Sequence, residues 1–219
     1  MFRRQYFYGL LVCLVCSGQT THALEPFVVG AFSSGSLNDW QTHNFTGETH
    51  YQIVSDSDGT KVLQASSQNA ASGLFRQQLI NIRKTPYLNW RWKVLQPLSA
   101  LPEQSKTGDD FAARMYVVID GGLLFWQKKS INYVWSSQTP KATVWPNAFA
   151  GEAVKMLALR DATATLNTWY TEKRNIRTDL KNLLGLEVDA IDALAVMTDT
   201  DNSHGQAKTL YGDIYFSAE

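Results

Sequence analysis

Alternation of apolar and polar residues with a period of two runs through most of this 219-residue sequence. A β-strand points successive side chains to opposite faces, so such alternation is typical of strands that cover a core with one face. Aromatic and β-branched residues are common in the alternating segments, which favours strands further. The segments that fit are residues 27–32, 51–55, 61–66, 72–80, 87–95, 111–119, 131–135, 153–160, 166–177, 191–198 and 209–216.

Turn signals, rather than helices, separate these segments. Asp58-Gly59 predicts a tight hairpin, and Gly121-Gly122 predicts a further turn. All six prolines fall outside the predicted strand interiors, as expected because proline cannot donate a hydrogen bond to a sheet. Only one stretch starts with a capping residue, Thr178, and stops at a glycine, Gly185, which predicts a short helix over about residues 178–185.

The absence of a strand–helix–strand rhythm indicates an all-β fold. We predict an antiparallel β-sandwich or jelly roll that contains the one short helix. The longest irregular connection runs from Gln96 to Asp110, and connections of that length in a compact domain are often functional.

The first residues have the composition of a secretory signal peptide. The opening MFRR is basic, residues 6–16 form an apolar run too short to span a bilayer, and residues 21–23 (THA) offer small residues for cleavage. We therefore predict a signal peptide at residues 1–23, a single β-sandwich domain at residues 24–219, and a periplasmic or secreted location.

Cleavage after residue 23 would remove both cysteines, Cys13 and Cys16, so the mature chain would have no disulfide and no thiol nucleophile. A lipoprotein anchor at either cysteine is disfavoured because each follows a valine where a small residue is expected. Cleavage would also leave two more acidic than basic residues, which makes nucleic acid a poor partner. No other apolar run is long enough for a membrane span.

One charged residue, Arg114, lies in the middle of the predicted strand 111–119. Asp109 and Asp110 precede this strand directly, and Asp199 and Asp201 follow the predicted strand 191–198. If the two strands are neighbours, four carboxylates converge on the guanidinium. So many acids in a small space need a cation, an arginine pair or a raised pKa to compensate their charge.

Three interpretations of these acids stay open on the sequence alone. In the first, Arg114 and the aspartates form a purely structural brace that pins two loops. In the second, Asp199, Asp201, Asn202 and Asp213 are candidate ligands of a Ca²⁺ ion, which prefers carboxylate and amide oxygens. In the third, Asp110 and Asp201 are the acid/base pair of a glycan-cleaving enzyme, which needs two carboxyl groups facing each other across a groove.

The outward face of several predicted strands mixes aromatic rings with charges. In NWRWKV, alternation places Trp90 and Trp92 on the apolar side and Arg91 on the opposite side. Such a face is either an ordinary solvated surface or a concave groove for a polar ligand, with Tyr116 as a stacking ring. Trp145, beside a proline in a predicted loop, is the best candidate for a further exposed ring.

The segments WRWKV (90–94), KTGDDFAARMYVV (106–118), NYVW (132–135), EKRNI (172–176), LAVMTDTDN (194–202) and YGDIYF (211–216) resemble, in this order, domain-of-unknown-function family 3047. That family consists of exported bacterial proteins and implies no established activity. Separately, FSSGSLNDWQ (32–41) and YGDIYF resemble the first and last strands of galactose-binding-like jelly-roll modules. The second resemblance implies sugar binding and a structural calcium between the termini.

These observations lead to one functional hypothesis with two alternatives. We expect an exported, non-catalytic module that binds a carbohydrate or another polar envelope ligand through a cluster of arginines, acids and one tyrosine. The alternatives are the glycan-cleaving enzyme, for which the sequence offers no G-x-S-x-G elbow or zinc spacing, and a structural envelope protein with a protein partner. The predicted ligand-binding residues are Arg91, Asp109, Asp110, Arg114, Tyr116, Asp199 and Asp201.

Overall fold

The computed structural model describes residues 24–119 and 129–219. The predicted signal peptide with its two cysteines and the predicted Gly121-Gly122 turn lie outside the described residues. Within them, no helix has both the length and the apolar character needed to cross a membrane.

The described chain is mostly strand, as the alternation predicts. The strands are β1 (Phe27–Gly30), β2 (Gln41–Thr46), β3 (His50–Ser55), β4 (Lys61–Gln68), β5 (Ala71–Asn81), β6 (Tyr87–Gln96), β7 (Ala113–Val118), β8 (Ser130–Trp135), β9 (Val144–Asn147), β10 (Gly151–Arg160), β11 (Tyr170–Asn175), β12 (Ala190–Met197), β13 (Gln206–Tyr211) and β14 (Ile214–Ser217). One α-helix, α1 (Ile176–Leu184), and a short 3₁₀ helix (Phe32–Ser34) complete the elements.

The strands form two sheets that pack as a sandwich, which confirms the predicted fold class. The first sheet has the order β1-β14-β6-β13-β4-β3, with β11 also paired to β6. The second sheet has the order β2-β5-β12-β7-β8-β10-β9. All pairs are antiparallel except β8 and β10, which run parallel. The first and last strands, β1 and β14, lie side by side, as the resemblance of the termini suggests.

The main core lies between the two sheets and is rich in aromatic rings. Trp90 and Trp92 of β6 are buried, as predicted, and their rings are 5.5 Å apart in an edge-to-face arrangement. Tyr133 of β8 approaches from the second sheet, with its ring centroid 5.5 Å from that of Trp90. Met115 and Val117 of β7 face the same core, so the alternating residues of β7 face away from it.

Two strands occur where the sequence predicts loops. Residues 41–46 form β2, whose side chains are mostly exposed because β2 is the edge of the second sheet. Residues 144–147 form β9 at the other edge, and this strand contains Pro146. The prediction that every proline lies outside a strand is therefore wrong, because an edge strand tolerates a residue that cannot donate.

Two further boundaries differ from the prediction. The helix begins earlier than Thr178, because the side chain of Asn175 accepts a hydrogen bond from the Thr178 N–H at 3.1 Å and caps the first turn. The predicted strand 209–216 is two strands, interrupted at Gly212 and Asp213. The side chain of Arg91 passes so close to Gly212 that a Cβ there would lie 2.5 Å from its Cγ.

The long connection after β6 is held in place by one buried carboxylate. Glu103 is 1% exposed and accepts hydrogen bonds from the hydroxyl groups of Ser136 and Ser137 and from the backbone N–H groups of Ser137 and Thr139. This connection is therefore a fixed part of the fold, and it delivers Asp109 and Asp110 to the outer face of the second sheet.

We expect Glu103→Ala to lower the free energy of unfolding by about 3 kcal/mol, because buried donors lose their acceptor. Urea titration followed by tryptophan fluorescence measures this loss. The matched control is Glu152→Ala, since the side chain of Glu152 is 79% exposed and its removal should cost less than about 0.5 kcal/mol. Equal effects of the two substitutions would contradict the anchoring role of Glu103.

Candidate functional site

A cavity of about 590 Å³ lies on the outer face of the second sheet, the face turned away from the core. It extends from β2 at one edge of the sheet to β9 and β10 at the other. We refer to it as the outer cavity. The described residues that line it are Phe45, Thr46, Ala71, Gly73, Asp109, Arg114, Tyr116, Ser130, Asn132, Asn147, Phe149, Ala150, Val154, Ala195, Met197, Asp199, Asp201 and Asn202.

Small side chains in the central strands make room for the cavity. Gly73 of β5 pairs with Met197 of β12, and Ala195 lies two residues before Met197 on the same face of that strand. A Cβ atom built on Gly73 would meet no atom within 4 Å, so this position faces open space. Asn132 of β8 also lines the cavity, and its side-chain amide oxygen is buried without a hydrogen-bond partner among the described residues. The lining of the cavity thus contains a buried acceptor whose hydrogen-bonding capacity is unused.

Aromatic rings border the cavity on several sides. Tyr116 of β7 is half-buried in its wall. Phe45 of β2 is 43% exposed, and Phe149, in the turn between β9 and β10, is 57% exposed. Because β2 and β9 are opposite edge strands, the two phenylalanines stand at opposite ends of the cavity. Exposed rings around a concave site are typical of ligand contact rather than of core packing.

Arg114 of β7 lines the cavity and is 3% exposed. Its guanidinium forks onto Asp199, with Nε donating to Oδ1 at 2.9 Å and Nη2 donating to Oδ2. Nη2 also donates to the backbone carbonyl of Asp109, and Nη1 lies 3.7 Å from the Asp109 carboxylate. The guanidinium stacks over the ring of Phe111 at 4.3 Å. The sequence predicts that these acids meet Arg114 if the two strands are neighbours, and β7 and β12 are indeed paired.

The acids around Arg114 have perturbed pKa values. Burial raises the pKa of Asp199, and the neighbouring guanidinium limits that rise. Burial likewise raises the pKa of Asp109, against the opposing effects of Arg114 and of hydrogen bonds from Asn147 at 3.0 and 3.2 Å. These carboxylates therefore depend on Arg114 for their charge balance.

Asp110 and Asp201 form the second part of the acidic cluster. Asp110 is fully buried and accepts backbone hydrogen bonds from Asn202 at 3.2 Å and from Ser203 at 2.6 Å. Asp201 is partly exposed and lines the cavity, whereas Asp110 is not among its described lining residues. Burial, and then the charge of Asp110, raise the pKa of Asp201.

Arg91 and Asp213 do not join this cluster. Arg91 lies on β6 of the first sheet, where its guanidinium stacks on Trp169 at 4.4 Å. Asp213 accepts hydrogen bonds from the backbone and hydroxyl of Ser33. Both line a separate depression of about 330 Å³ on the first sheet. Alternation predicts the face of a strand but not the sheet to which the strand belongs. For this reason Arg91 was wrongly placed in the predicted ligand-binding cluster, and Asp213 was wrongly placed among the predicted calcium ligands.

The prediction that the Trp145 ring is exposed is wrong as well. Trp145 is 4% exposed and packs against Phe111 with ring centroids 6.2 Å apart. Phe111 and Trp145 belong to one small apolar cluster that is separate from the main core, because β7 begins only at Ala113. The rings that do border the cavity, Phe45 and Phe149, were missed because their segments resembled polar loops.

The acidic cluster offers some of the geometry of a cation site but few free oxygens. Asp110, Asp199 and Asp201 each place an oxygen within 4.8 Å of the others. The oxygens of Asp199 already face Arg114 and the Phe111 N–H, and those of Asp110 face two backbone N–H groups. A Ca²⁺ ion binds six to eight oxygens. Asp213 lies between β13 and β14 of the first sheet, so the four predicted ligands do not come together.

We expect the melting temperature to be the same in a chelator and in millimolar calcium. The reason is that N–H donors already engage the oxygens of Asp110 and Asp199, and that Asp213, a predicted ligand, lies apart from them. Differential scanning fluorimetry of the purified protein measures this directly. A chelator-induced fall in melting temperature that calcium reverses would restore the predicted calcium site.

The raised pKa of Asp201 predicts how stability depends on pH. The folded protein binds this proton more tightly than the unfolded chain, so the free energy of unfolding falls as pH rises from about 3.9, the unfolded value, to the raised folded value. Asn cannot ionise, so Asp201→Asn should show a shallower fall and a higher melting temperature at neutral pH. Melting curves of both proteins between about pH 4 and pH 8 test this; parallel profiles would contradict it.

Solved structures with a similar fold include several carbohydrate-binding modules. The family 11 carbohydrate-binding module of a cellulosomal cellulase from Clostridium thermocellum matches with a TM-score of 0.49 and 11% identity, covering 90% of this chain and 97% of that one. The xylan-binding domain of Xyn10C from Paenibacillus barcinonensis gives 0.40 and 8%, covering 90% and 97%. The adhesin domain of Lys-gingipain from Porphyromonas gingivalis gives 0.45 and 10%, covering 89% and 99%.

No curated protein is a significant match to the sequence. The family model described as "Protein of unknown function (DUF3047)" matches residues 38–215. This range contains the segments on which the resemblance rests, except for the last residue of YGDIYF, and all of the described lining of the outer cavity. The chain belongs to the DUF3047 family.

Proposed function

We propose that this protein binds a carbohydrate in the outer cavity and does not cleave it. The observation that carries the proposal is the cavity itself. Its volume of about 590 Å³ falls within the size range of small-molecule sites, and it combines exposed rings with a few buried polar groups. A sugar ring has the matching character, because its C–H faces are apolar and its rim carries hydroxyl groups.

The position of the rings supports an elongated ligand. Phe45 and Phe149 stand at opposite ends of the cavity, and Tyr116 lies between them in strand order. An aromatic side chain offers a large apolar surface with little conformational freedom to lose on binding. A chain of sugar units could therefore cover one ring after another while its hydroxyl groups reach the polar floor at Asn132.

The geometry of the acids supports binding rather than cleavage. Acid/base cleavage of a glycoside needs two accessible carboxyl groups about 5–9.5 Å apart on either side of the bond. In the predicted pair, Asp110 is fully buried, and a side-chain hydrogen bond joins it to Asp201. Asp199 is held by both arms of the Arg114 guanidinium. These contacts favour a structural role for Asp110 and Asp199.

We also propose that the protein acts outside the cytoplasm. The support is the basic, apolar and small-residue pattern of residues 1–23. Cell fractionation of the full-length protein, with mass spectrometry of its mature N-terminus, tests this proposal independently of ligand binding.

Gly73→Trp should abolish carbohydrate binding without unfolding the protein. The new side chain would fill open space in the cavity, and Gly73 has no positive φ that only glycine could adopt. The matched control is Gln52→Trp, which adds the same side chain at an exposed position on the first sheet. Arg114 is less suitable as a test residue, because breaking a buried ion pair costs about 3–5 kcal/mol and endangers the fold.

Binding is measured by affinity electrophoresis against neutral polysaccharides, namely mixed-linkage β-glucan, xylan, mannan, pullulan and starch. We expect retention on at least one of them for the unmodified protein and for Gln52→Trp, and none for Gly73→Trp. Mass spectrometry of the soluble fraction should show no released oligosaccharide. Retention that survives in Gly73→Trp would place the site elsewhere, and released products would overturn the non-catalytic assignment.

A further inference from the structure

We infer that the outer cavity selects uncharged glycans and rejects acidic ones, with Asp201 as a specificity-determining residue. This inference rests on the proposed function and adds the chemical class of the ligand. It follows from which polar groups of the lining are already bonded to one another and which remain accessible to a ligand.

The strongest donor in the lining is already fully engaged. Arg114 has five N–H groups on its guanidinium. Nε and Nη2 bind Asp199 and the backbone carbonyl of Asp109. Nη1 donates to the hydroxyl of Tyr116 at 3.4 Å and faces the carboxylate of Asp109 at 3.7 Å. A carboxylate or sulfate group on a ligand would have to displace one of these partners, and 3% exposure of Arg114 leaves little room for it.

Other donors of the lining are directed inward as well. The amide nitrogen of Asn147 donates to both oxygens of Asp109. The hydroxyl of Tyr116 points to the sulfur of Met197 at 3.4 Å. The hydroxyl of Thr46 is hydrogen-bonded to Asp201. Each of these groups stabilises the site itself rather than presenting a free donor to a bound molecule.

Of the four charged residues in the described lining, Asp201 alone is not buried. Asp201 is partly exposed at the cavity, so its carboxylate is accessible to a ligand. A hydroxyl group can donate to this carboxylate, whereas an ionised acid group cannot. The retained hydrogen-bonding capacity therefore matches a neutral polyhydroxylated ligand.

The charge of the cavity acts in the same direction. The described lining contains three carboxylates, those of Asp109, Asp199 and Asp201, and one cation, Arg114. An acidic sugar would bring a further negative charge beside carboxylates that already share one guanidinium. Repulsion by unpaired like charges is a common basis of specificity against an otherwise similar ligand.

The test compares each neutral hexose polymer that the protein retains with the same polymer oxidised at C6 to the uronate. The backbone and linkage stay constant while each oxidised unit gains a carboxylate. We expect the unmodified protein to bind the neutral form at least about tenfold more tightly by affinity electrophoresis. In Asp201→Asn this preference should shrink several-fold, while the melting temperature shows that the variant is folded.

The matched control is Asp189→Asn, which removes the same charge from an exposed ion pair with Arg83 and Arg177, away from the cavity. It should leave the preference unchanged. Equal retention of neutral and oxidised polymers, or an unchanged preference in Asp201→Asn, would overturn this inference and leave the proposed function standing. Failure to retain any neutral polymer in the initial panel would instead count against the proposed function.

Discussion

The buried guanidinium of Arg114 joins its own strand to the connection that precedes the strand and to a loop that is distant in sequence. It lies on β7, forks onto Asp199 at the end of β12, and holds the backbone and carboxylate of Asp109 at the end of the long connection after β6. Burying these charges is costly, and only complete pairing offsets the cost. The arrangement therefore fixes the relative positions of two loops and a strand, and with them part of the lining of the outer cavity.

The same arrangement explains why the cavity has the chemistry that we describe. Because Arg114 is engaged by protein groups, it shapes the site without offering donors to a ligand. Tyr116 is positioned by that guanidinium, and Asn147 is positioned by Asp109. The remaining surface combines rings with the accessible carboxylate of Asp201. The structural network thus shapes the site indirectly, by engaging the Arg114 guanidinium beforehand.

The sequence predicts the fold class and the buried tryptophans because alternation reports local burial. It predicts Arg114 and the aspartates only conditionally, since the pairing of β7 with β12 depends on strand order, which is a long-range property. The same limit explains why Arg91, on the correct face of the wrong sheet, was grouped with them. Phe45 and Phe149 escaped prediction because edge strands and turns carry weak periodicity, and Trp145 was misassigned because Pro146 is tolerated at an edge.

The most direct test of the central claim is to map the bound sugar on the protein by NMR. An oligosaccharide from the best retained polymer is titrated into labelled protein, and shifts of backbone and side-chain amides are followed. The account predicts changes at Gly73, at Ala195 and in the side-chain amide of Asn132, with no change in that of Asn89 on the first sheet. Shifts confined to the first sheet would contradict the account, because the ligand would then bind outside the outer cavity.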